Sequence, residues 1–367
     1  MNDKLFKPEE KALFSLRALY KTYGYLPFKM SKFESYDFYL QNKEFLVSDR
    51  VITFNDTDGR LLALKPDVTL SIIKNGKDVP GCKQKVFYNE NVYRVSPSTH
   101  HFREILQTGL ECIGDIDLYD LFEVVLLAAQ SLSLISDDFV LQISHLGILS
   151  SLLDVEGANE VFRREALRFI AEKNVHDLKR ICAEYQISEE GTSRLCSFIG
   201  IYGERKQVLD SLLEICTTNA SKDALRTLSD LSDLLSETPY SDKIRFDFSI
   251  VNDMNYYGGI VFKGFLSGIC EGVLSGGQYD ILMSRMGRKA GAIGFALYLD
   301  LLEEQQASSD EYDVDILLLY EESVPYQVVL KEVSKMISNG LSVSAQKSVP
   351  PKLRYKKQIV LGKENAQ

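Results

Sequence analysis

Apolar side chains change their spacing several times along the 367 residues, and each change marks an element. Leu13, Leu16, Leu19 and Tyr20 recur at three and four positions, the period of a helix, after Pro8 and the Glu9-Glu10 pair suited to a first turn. Tyr23-Gly24-Tyr25 ends that pattern. Over 47–69 the chain reads as strands around a turn: VITF, then Asn55-Asp56-Thr57-Asp58-Gly59, then LLAL. KVFYNENVYR and FREILQTGLECIG predict two long antiparallel strands separated by a polar loop over 95–101. Helical spacing returns over 118–135 and 148–153.

From about 155 to 240 the chain is rich in Leu, Glu, Lys, Arg and Ser at helical period, which predicts a helical insertion. Its stripe of Leu225, Leu228, Leu231, Leu234 and Leu235 reads as core-facing. Strands resume with IRFDFSIV and IVFKGFL, and Gly276-Gly277 leads into AGAIGFALYLDLLEE, which predicts a glycine-started, buried helix. A Ser/Asp/Glu/Gln-rich link over 303–311 precedes a small α/β unit, 312–367. That unit reads as strand VDILLLY, a helix over 324–338 closed by Asn339-Gly340, then strands LSVSA and QIVLG. The basic run Lys352, Arg354, Lys356 and Lys357 falls before the last strand and reads as a solvated face.

Charge narrows the classes of function. Fifty-two acidic against 42 basic side chains give a net charge of −10, which argues against a surface built to grip nucleic acid or an anionic membrane. The six cysteines contain no CxxC pair, and His100, His101, His145 and His176 complete no zinc-ligand spacing, so no metal site is expected. Unpaired thiols suit a reducing compartment, the N-terminal MNDKLFKPEEKALF lacks an apolar signal core, and no apolar run approaches the ~20 residues of a membrane span. These features predict a cytoplasmic protein with no membrane partner. No Walker loop, GxGxxG, HExxH or GxSxG occurs, so no cofactor is expected.

Four segments place polar groups inside apolar strand patterns: Leu64-Lys65-Pro66-Asp67-Val68-Thr69, Val92-Tyr93-Arg94 with Phe102-Arg103-Glu104, Leu106-Gln107-Thr108-Gly109-Leu110-Glu111, and Asn255-Tyr256-Tyr257-Gly258-Gly259. Residues two apart in a strand share a face, so Arg103, Gln107 and Glu111 fall together, and so do Asp67 and Thr69. Two readings fit. Either acids, an amide and tyrosines converge on a ligand bearing an ammonium and a polar ring, or the strands are partly exposed and these groups are solvated.

These segments resemble the class II aminoacyl-tRNA synthetases, and within them histidyl-tRNA synthetase. YRVSPSTHHFREILQTGLE is similar to that family's FRxE strand, polar loop and QxGxE strand, and LKPDVT to its LRPE/D-x-T element. NDMNYYGGIVFK resembles its RGLDYYTGxVFE element, and GGQYD with GFALYLDLL its final motif, in order over about 8–305. The resemblance implies an α+β fold: an antiparallel sheet flanked by helices over 1–305, with the helical insertion at about 155–240, and a truncated anticodon-binding-like α/β unit over 312–367. It also implies dimerisation through the first motif, about 8–36.

By the same resemblance, Asp67 meets the α-ammonium of histidine with Thr69 beside it, and Glu111 accepts from the imidazole. Gln107, Tyr256, Tyr257 and Arg103 complete the amino-acid pocket, and Arg94 is a remnant of the nucleotide site. Three departures bear on activity. Asp300-Leu301 stands where the family has the Glu-Arg clamp, 252–255 reads Asn-Asp-Met-Asn where it has Arg-Gly-Leu-Asp, and Ser96 replaces a glutamate. Adenylate formation builds negative charge on the α-phosphate, and neither leucine nor asparagine replaces an arginine there.

A synthetase-like chain with a histidine-shaped pocket and no catalytic arginines resembles the regulatory subunits of ATP phosphoribosyltransferase, which pair with a short-form catalytic subunit in the first step of histidine biosynthesis. The resemblance implies no catalytic residues of its own, histidine as effector, a homodimer within a hetero-oligomer, and no tRNA partner. The competing reading is a divergent or truncated histidyl-tRNA synthetase in which Arg245, Arg285 or Arg288 replaces the clamp.

Overall fold

The computed structural model describes residues 8–46, 50–79, 81–95, 100–154, 158–203, 205–251, 256–302 and 312–362. The chain divides into two compact units, Met1–Glu303 and Glu304–Gln367.

The first unit opens with α1 (Pro8–Thr22), whose Ala12, Leu16 and Tyr20 repeat every four residues and are buried. After it come β1 (Leu26–Pro27), β2 (Phe33–Ser35), α2 (Tyr36–Gln41), β3 (Thr53–Asn55) and β4 (Leu61–Leu64). β2 and β3 flank β4 in a small antiparallel sheet. The β3–β4 hairpin turns at Gly59, whose φ of +85° is open to a residue without a Cβ. Next are α3 (Thr69–Asn75) and the long strands β5 (Gln84–Val95) and β6 (Phe102–Gly114), antiparallel as their alternation predicts.

α4 (Leu118–Ser133) begins at Asp117, which accepts from the Tyr119 and Asp120 amides while the Asp120 carboxylate accepts from the Asp117 amide. Such a reciprocal cap stabilises a helix start by about 1 kcal/mol. β7 (Phe139–His145) and α5 (Leu146–Leu153) follow. The stretch read as a helical insertion holds α6 (Glu160–Ala171), α7 (Val175–Glu184), α8 (Glu189–Ile199), the two-residue β8 (Tyr202–Gly203), α9 (Arg205–Ile215) and α10 (Asn219–Ser236). In α10, Leu225, Leu228, Leu231 and Leu235 are buried, whereas Leu234 turns outward at 38% exposure.

The unit closes with β9 (Ile244–Asp247), β10 (Ile260–Leu266), β11 (Leu274–Gln278), α11 (Asp280–Arg285) and β12 (Gly291–Tyr298). Among the described residues nine strands form one sheet in the order β1-β5-β6-β12-β11-β10-β7-β9-β8. Its neighbours are antiparallel except β1–β5 and β7–β9.

Two sequence expectations change here. AGAIGFALYLDLLEE was expected to be a buried helix, but its first part is β12, inserted between β6 and β11. A short apolar run buried on both faces has the same pattern in either state; the open ladders of β6 and β11 decide it. The second change is at Asp67 and Thr69, expected on a strand. β4 ends at Leu64 and α3 starts at Thr69, so Asp67 lies in the connecting turn, where its carboxylate accepts from the Leu70 amide at 2.9 Å. Aspartate serves a helix entry better than a ladder.

In the second unit β13 (Val314–Tyr320), α12 (Tyr326–Ser338), β14 (Val343–Gln346) and β15 (Tyr355–Leu361) form a parallel three-stranded sheet, order β14-β13-β15, with one crossover helix. Ile316, Leu318, Val324, Val329 and Leu361 make its core. Lys356 and Lys357 lie within β15 rather than before it, on exposed positions of an edge strand, where lysine discourages pairing with another chain.

Candidate functional site

The neighbouring strands β6, β12 and β11, with the β4–α3 turn and Tyr256-Tyr257, enclose a cavity of about 390 Å³ in the first unit. That volume falls in the range of small-ligand sites. Each wall is held by its own chemistry.

The β4–α3 turn is tied to β5. Arg94 donates from Nε to the Pro66 carbonyl at 2.7 Å, and its Nη2 stands 3.6 Å from Asp67 Oδ2. The Tyr93 amide donates to the Lys65 carbonyl, and the buried Lys65 ammonium pairs with Glu90. Asp67 is thus fixed at both carboxylate oxygens. Burial pushes its carboxyl above the ordinary range, although the Arg94 guanidinium opposes the rise.

Glu111 is buried, with 2% of its surface exposed. Thr69 Oγ1 donates to its Oε1 at 2.8 Å and Tyr279 OH to its Oε2 at 2.7 Å. Burial raises its carboxyl to about 8, against the pull of those two hydroxyls. It fits because Gly294 of β12 lies directly opposite; a Cβ there would collide with the Glu111 carboxylate and the Leu110 carbonyl. Gly109 on β6 makes room in the same way for Tyr88 and the Phe295 carbonyl.

Tyrosines line the remaining wall. The Tyr256 and Tyr257 rings lie 4.6 Å apart, and Tyr256 and Tyr279 5.9 Å. Burial first, then the nearby acids (Glu111 for Tyr279, Glu111 and Asp67 for Tyr88 and Tyr256), hold the hydroxyls of Tyr88, Tyr256 and Tyr279 well above their usual 10, so they stay neutral. Gln107 is buried, and its Nε2 has no hydrogen-bond partner among the described residues. A donor left free in this setting costs about 1–3 kcal/mol until an acceptor arrives.

Of the residues read from sequence, Asp67, Thr69, Arg94, Gln107, Glu111, Tyr256 and Tyr257 line the cavity. Arg103 does not. It lies on β6 four residues before Gln107, about 13 Å along the strand, half-exposed and 3.8 Å from Asp300. Sharing a face did not suffice, because the cavity ends before Arg103 is reached. Tyr88, Ser275, Tyr279 and Tyr298 line the cavity and were not singled out. The Gly276-Gly277-Gln278-Tyr279-Asp280 run was the available signal for Tyr279. The departures at Ser96 and 252–255 lie outside the described residues.

Arg94 is the one cation among the described lining residues. The arginines that a synthetase reading would recruit are occupied elsewhere. Arg285 donates to Glu44, Arg288 to Asp78 and the Ile73 carbonyl, and Arg245 to its neighbouring Ile244 carbonyl. The arrangement suits a small zwitterion: carboxylates for an ammonium and a ring N–H, aromatic walls, and a free amide donor. It has little to neutralise a polyphosphate. Among the described residues no group of three or more His, Cys, Asp or Glu could hold a metal ion, and no helix is long and apolar enough to cross a membrane.

A family model described as histidyl-tRNA synthetase matches residues 2–302. An ATP phosphoribosyltransferase regulatory subunit from Oceanobacillus iheyensis is 28% identical over 300 residues, 81% of this chain and 74% of that protein. Among solved structures, an ATP phosphoribosyltransferase regulatory subunit/histidyl-tRNA synthetase from Bacillus halodurans C matches with a TM-score of 0.77 and 25% identity, covering 97% of this chain and 94% of that one. A chain of the ATP phosphoribosyl transferase (HisG:HisZ) complex from Thermotoga maritima shares the fold, with a TM-score of 0.62 and 20% identity over 78% of this chain and 96% of that one.

Proposed function

Because the chain belongs to the histidyl-tRNA synthetase family, we propose that it is a non-catalytic regulatory subunit of ATP phosphoribosyltransferase, acting in the cytoplasm in the first step of histidine biosynthesis. Histidine binds in the Glu111 cavity: its ammonium meets Asp67, its imidazole N–H meets Glu111 between Thr69 and Tyr279, and Gln107 Nε2 donates to its carboxylate. Occupancy biases a hetero-oligomer with the short-form catalytic subunit toward a less active state, by differential affinity of histidine for the two states. A homodimer of this chain inside that assembly belongs to the same proposal.

The observation that carries this reading is the make-up of the cavity wall. Hydroxyls close around the Glu111 carboxyl, while Arg94 is the one cation among the described lining residues. Asp300, where the family has its phosphate-clamping pair, stands 3.8 Å from Arg103. The relatives named regulatory subunits support it.

Calorimetry of the purified chain with histidine, beside Glu111→Ala and Tyr257→Ala, tests the pocket; both variants are expected to weaken binding about tenfold or more. Unchanged affinity in both removes the assignment. Co-purification with the short-form catalytic subunit, assayed with and without histidine, tests the role. Charging of tRNA(His) or pyrophosphate exchange into ATP by this chain alone would overturn it.

A further inference from the structure

On the far side of Tyr257 lies a second, larger cavity of about 1080 Å³, between the N-terminal half of α10, α5 and the end of the large sheet. Tyr257 lines both cavities. The second exceeds the usual volume of a small-ligand site. Five aspartates and one arginine are among its described lining residues. Most of these carboxylates are engaged: Asp117 with Lys83, Asp154 with Arg163, Asp223 with Arg226, and Asp280 with Gln278 and the Ala292 amide. Asp230 is exposed and has no hydrogen-bond or ion-pair partner among the described residues.

An independent feature points to an occupant. His145, at the junction of β7 and α5, is 7% exposed and lines this cavity. Its Nδ1 accepts from the Gly147 amide at 3.1 Å, capping α5. Burial lowers the ring to about 4, so at neutral pH it is uncharged and its proton sits on Nε2. That N–H has no acceptor among the described residues. The site therefore offers one buried donor, an acidic rim on α10, and apolar surface at Ile116, Leu118 and Ile281.

We propose that this cavity seats a basic segment of a protein partner, with a backbone carbonyl accepting from His145 Nε2 and lysine or arginine side chains reaching Asp223 and Asp230. A peptide combines all three features the cavity asks for: a carbonyl, a cation, and an aliphatic stem to lie on the apolar wall. An occupant here abuts the same Tyr257 ring that walls the first cavity.

Fluorescence anisotropy tests this with the full chain and a fluorescein-labelled octapeptide of alternating lysine and alanine, using alternating glutamate and alanine as control. Saturable binding of the lysine peptide alone is expected. Asp223→Asn with Asp230→Asn should weaken it about tenfold by removing the rim charge. His145→Asn is the sharper variant: its side-chain oxygen keeps an acceptor for the Gly147 amide, while its NH₂, on a shorter side chain, falls short of the position of the imidazole Nε2–H, and about tenfold weaker binding with an unchanged far-UV circular dichroism spectrum is expected. Equal binding of both peptides, no binding, or full affinity in His145→Asn would overturn the proposal, the last by showing general attraction to an acidic surface. The assay uses neither histidine nor the catalytic subunit, so its failure leaves the function proposed above untouched.

Discussion

Glu111→Gln replaces the buried carboxyl by an amide of the same shape. A carboxyl carried from its ordinary 4.5 to about 8 by burial holds its proton more tightly in the folded chain than in the unfolded one. Its contribution to stability is therefore intact below pH 4.5 and is lost as pH rises through about 8. At about 1.4 kcal/mol for each tenfold change in proton affinity, the full loss is about 5 kcal/mol, of which less than about 1 has accrued at pH 5. The introduced amide cannot ionise. Its oxygen accepts from one of the Thr69 and Tyr279 hydroxyls and its NH₂ donates to the other, a rearrangement costing about 1 kcal/mol. The variant should match the parent chain near pH 5 and exceed it by about 3 kcal/mol at pH 8. Urea unfolding followed by tyrosine fluorescence at several pH values reads this, since the chain has 19 tyrosines and no tryptophan. A difference that stays constant from pH 5 to 8 would refute the assignment of a proton to Glu111 in the folded chain.

Other perturbations probe the walls. Gly294→Ala drives a Cβ into the Glu111 carboxylate and the Leu110 carbonyl, and should cost about 1–3 kcal/mol in urea unfolding while abolishing histidine heats in calorimetry. Arg94→Ala removes the donor to the Pro66 carbonyl and the cation beside buried Asp67; a loss of about 3 kcal/mol in the same assay is expected. Glu90→Ala strands the Lys65 ammonium, only 1% exposed, and should lower the melting temperature more than Lys65→Met, which removes the charge along with the need for a partner. Asp117→Ala breaks the α4 cap and its pairing with Lys83, for about 1 kcal/mol.

Much of the site was legible because chemistry and period coincide. Gln107 and Glu111 lie on one strand at an even spacing, so the pleat puts them on one face in any register that buries it. The Asp67–Thr69 pair was found by residue type but assigned to the wrong element, since a strand's end and a helix's first turn both accept Leu-Lys-Pro-Asp-Val-Thr. Arg103 satisfied the same face rule as Gln107 and still fell outside, because the rule gives direction and not distance along the strand. His145 and the cavity behind Tyr257 left no mark, as they depend on an α10 reached through the whole helical insertion.

From the sequence by itself came the elements with an unambiguous period: the paired long strands β5 and β6, the helical stretch α6–α10, and the small terminal α/β unit. In α6–α10 local patterns suffice because one face of each helix is apolar and the other is not, and in β5 and β6 because two long strand-like runs flank a polar loop. Tertiary structure alone decided β12. Its eight residues are apolar on both sides, so no local moment distinguishes strand from helix, and the choice falls to the unfilled ladders of β6 and β11. That choice sets Gly294 against Glu111, and with it a carboxyl buried deeply enough to titrate near neutrality.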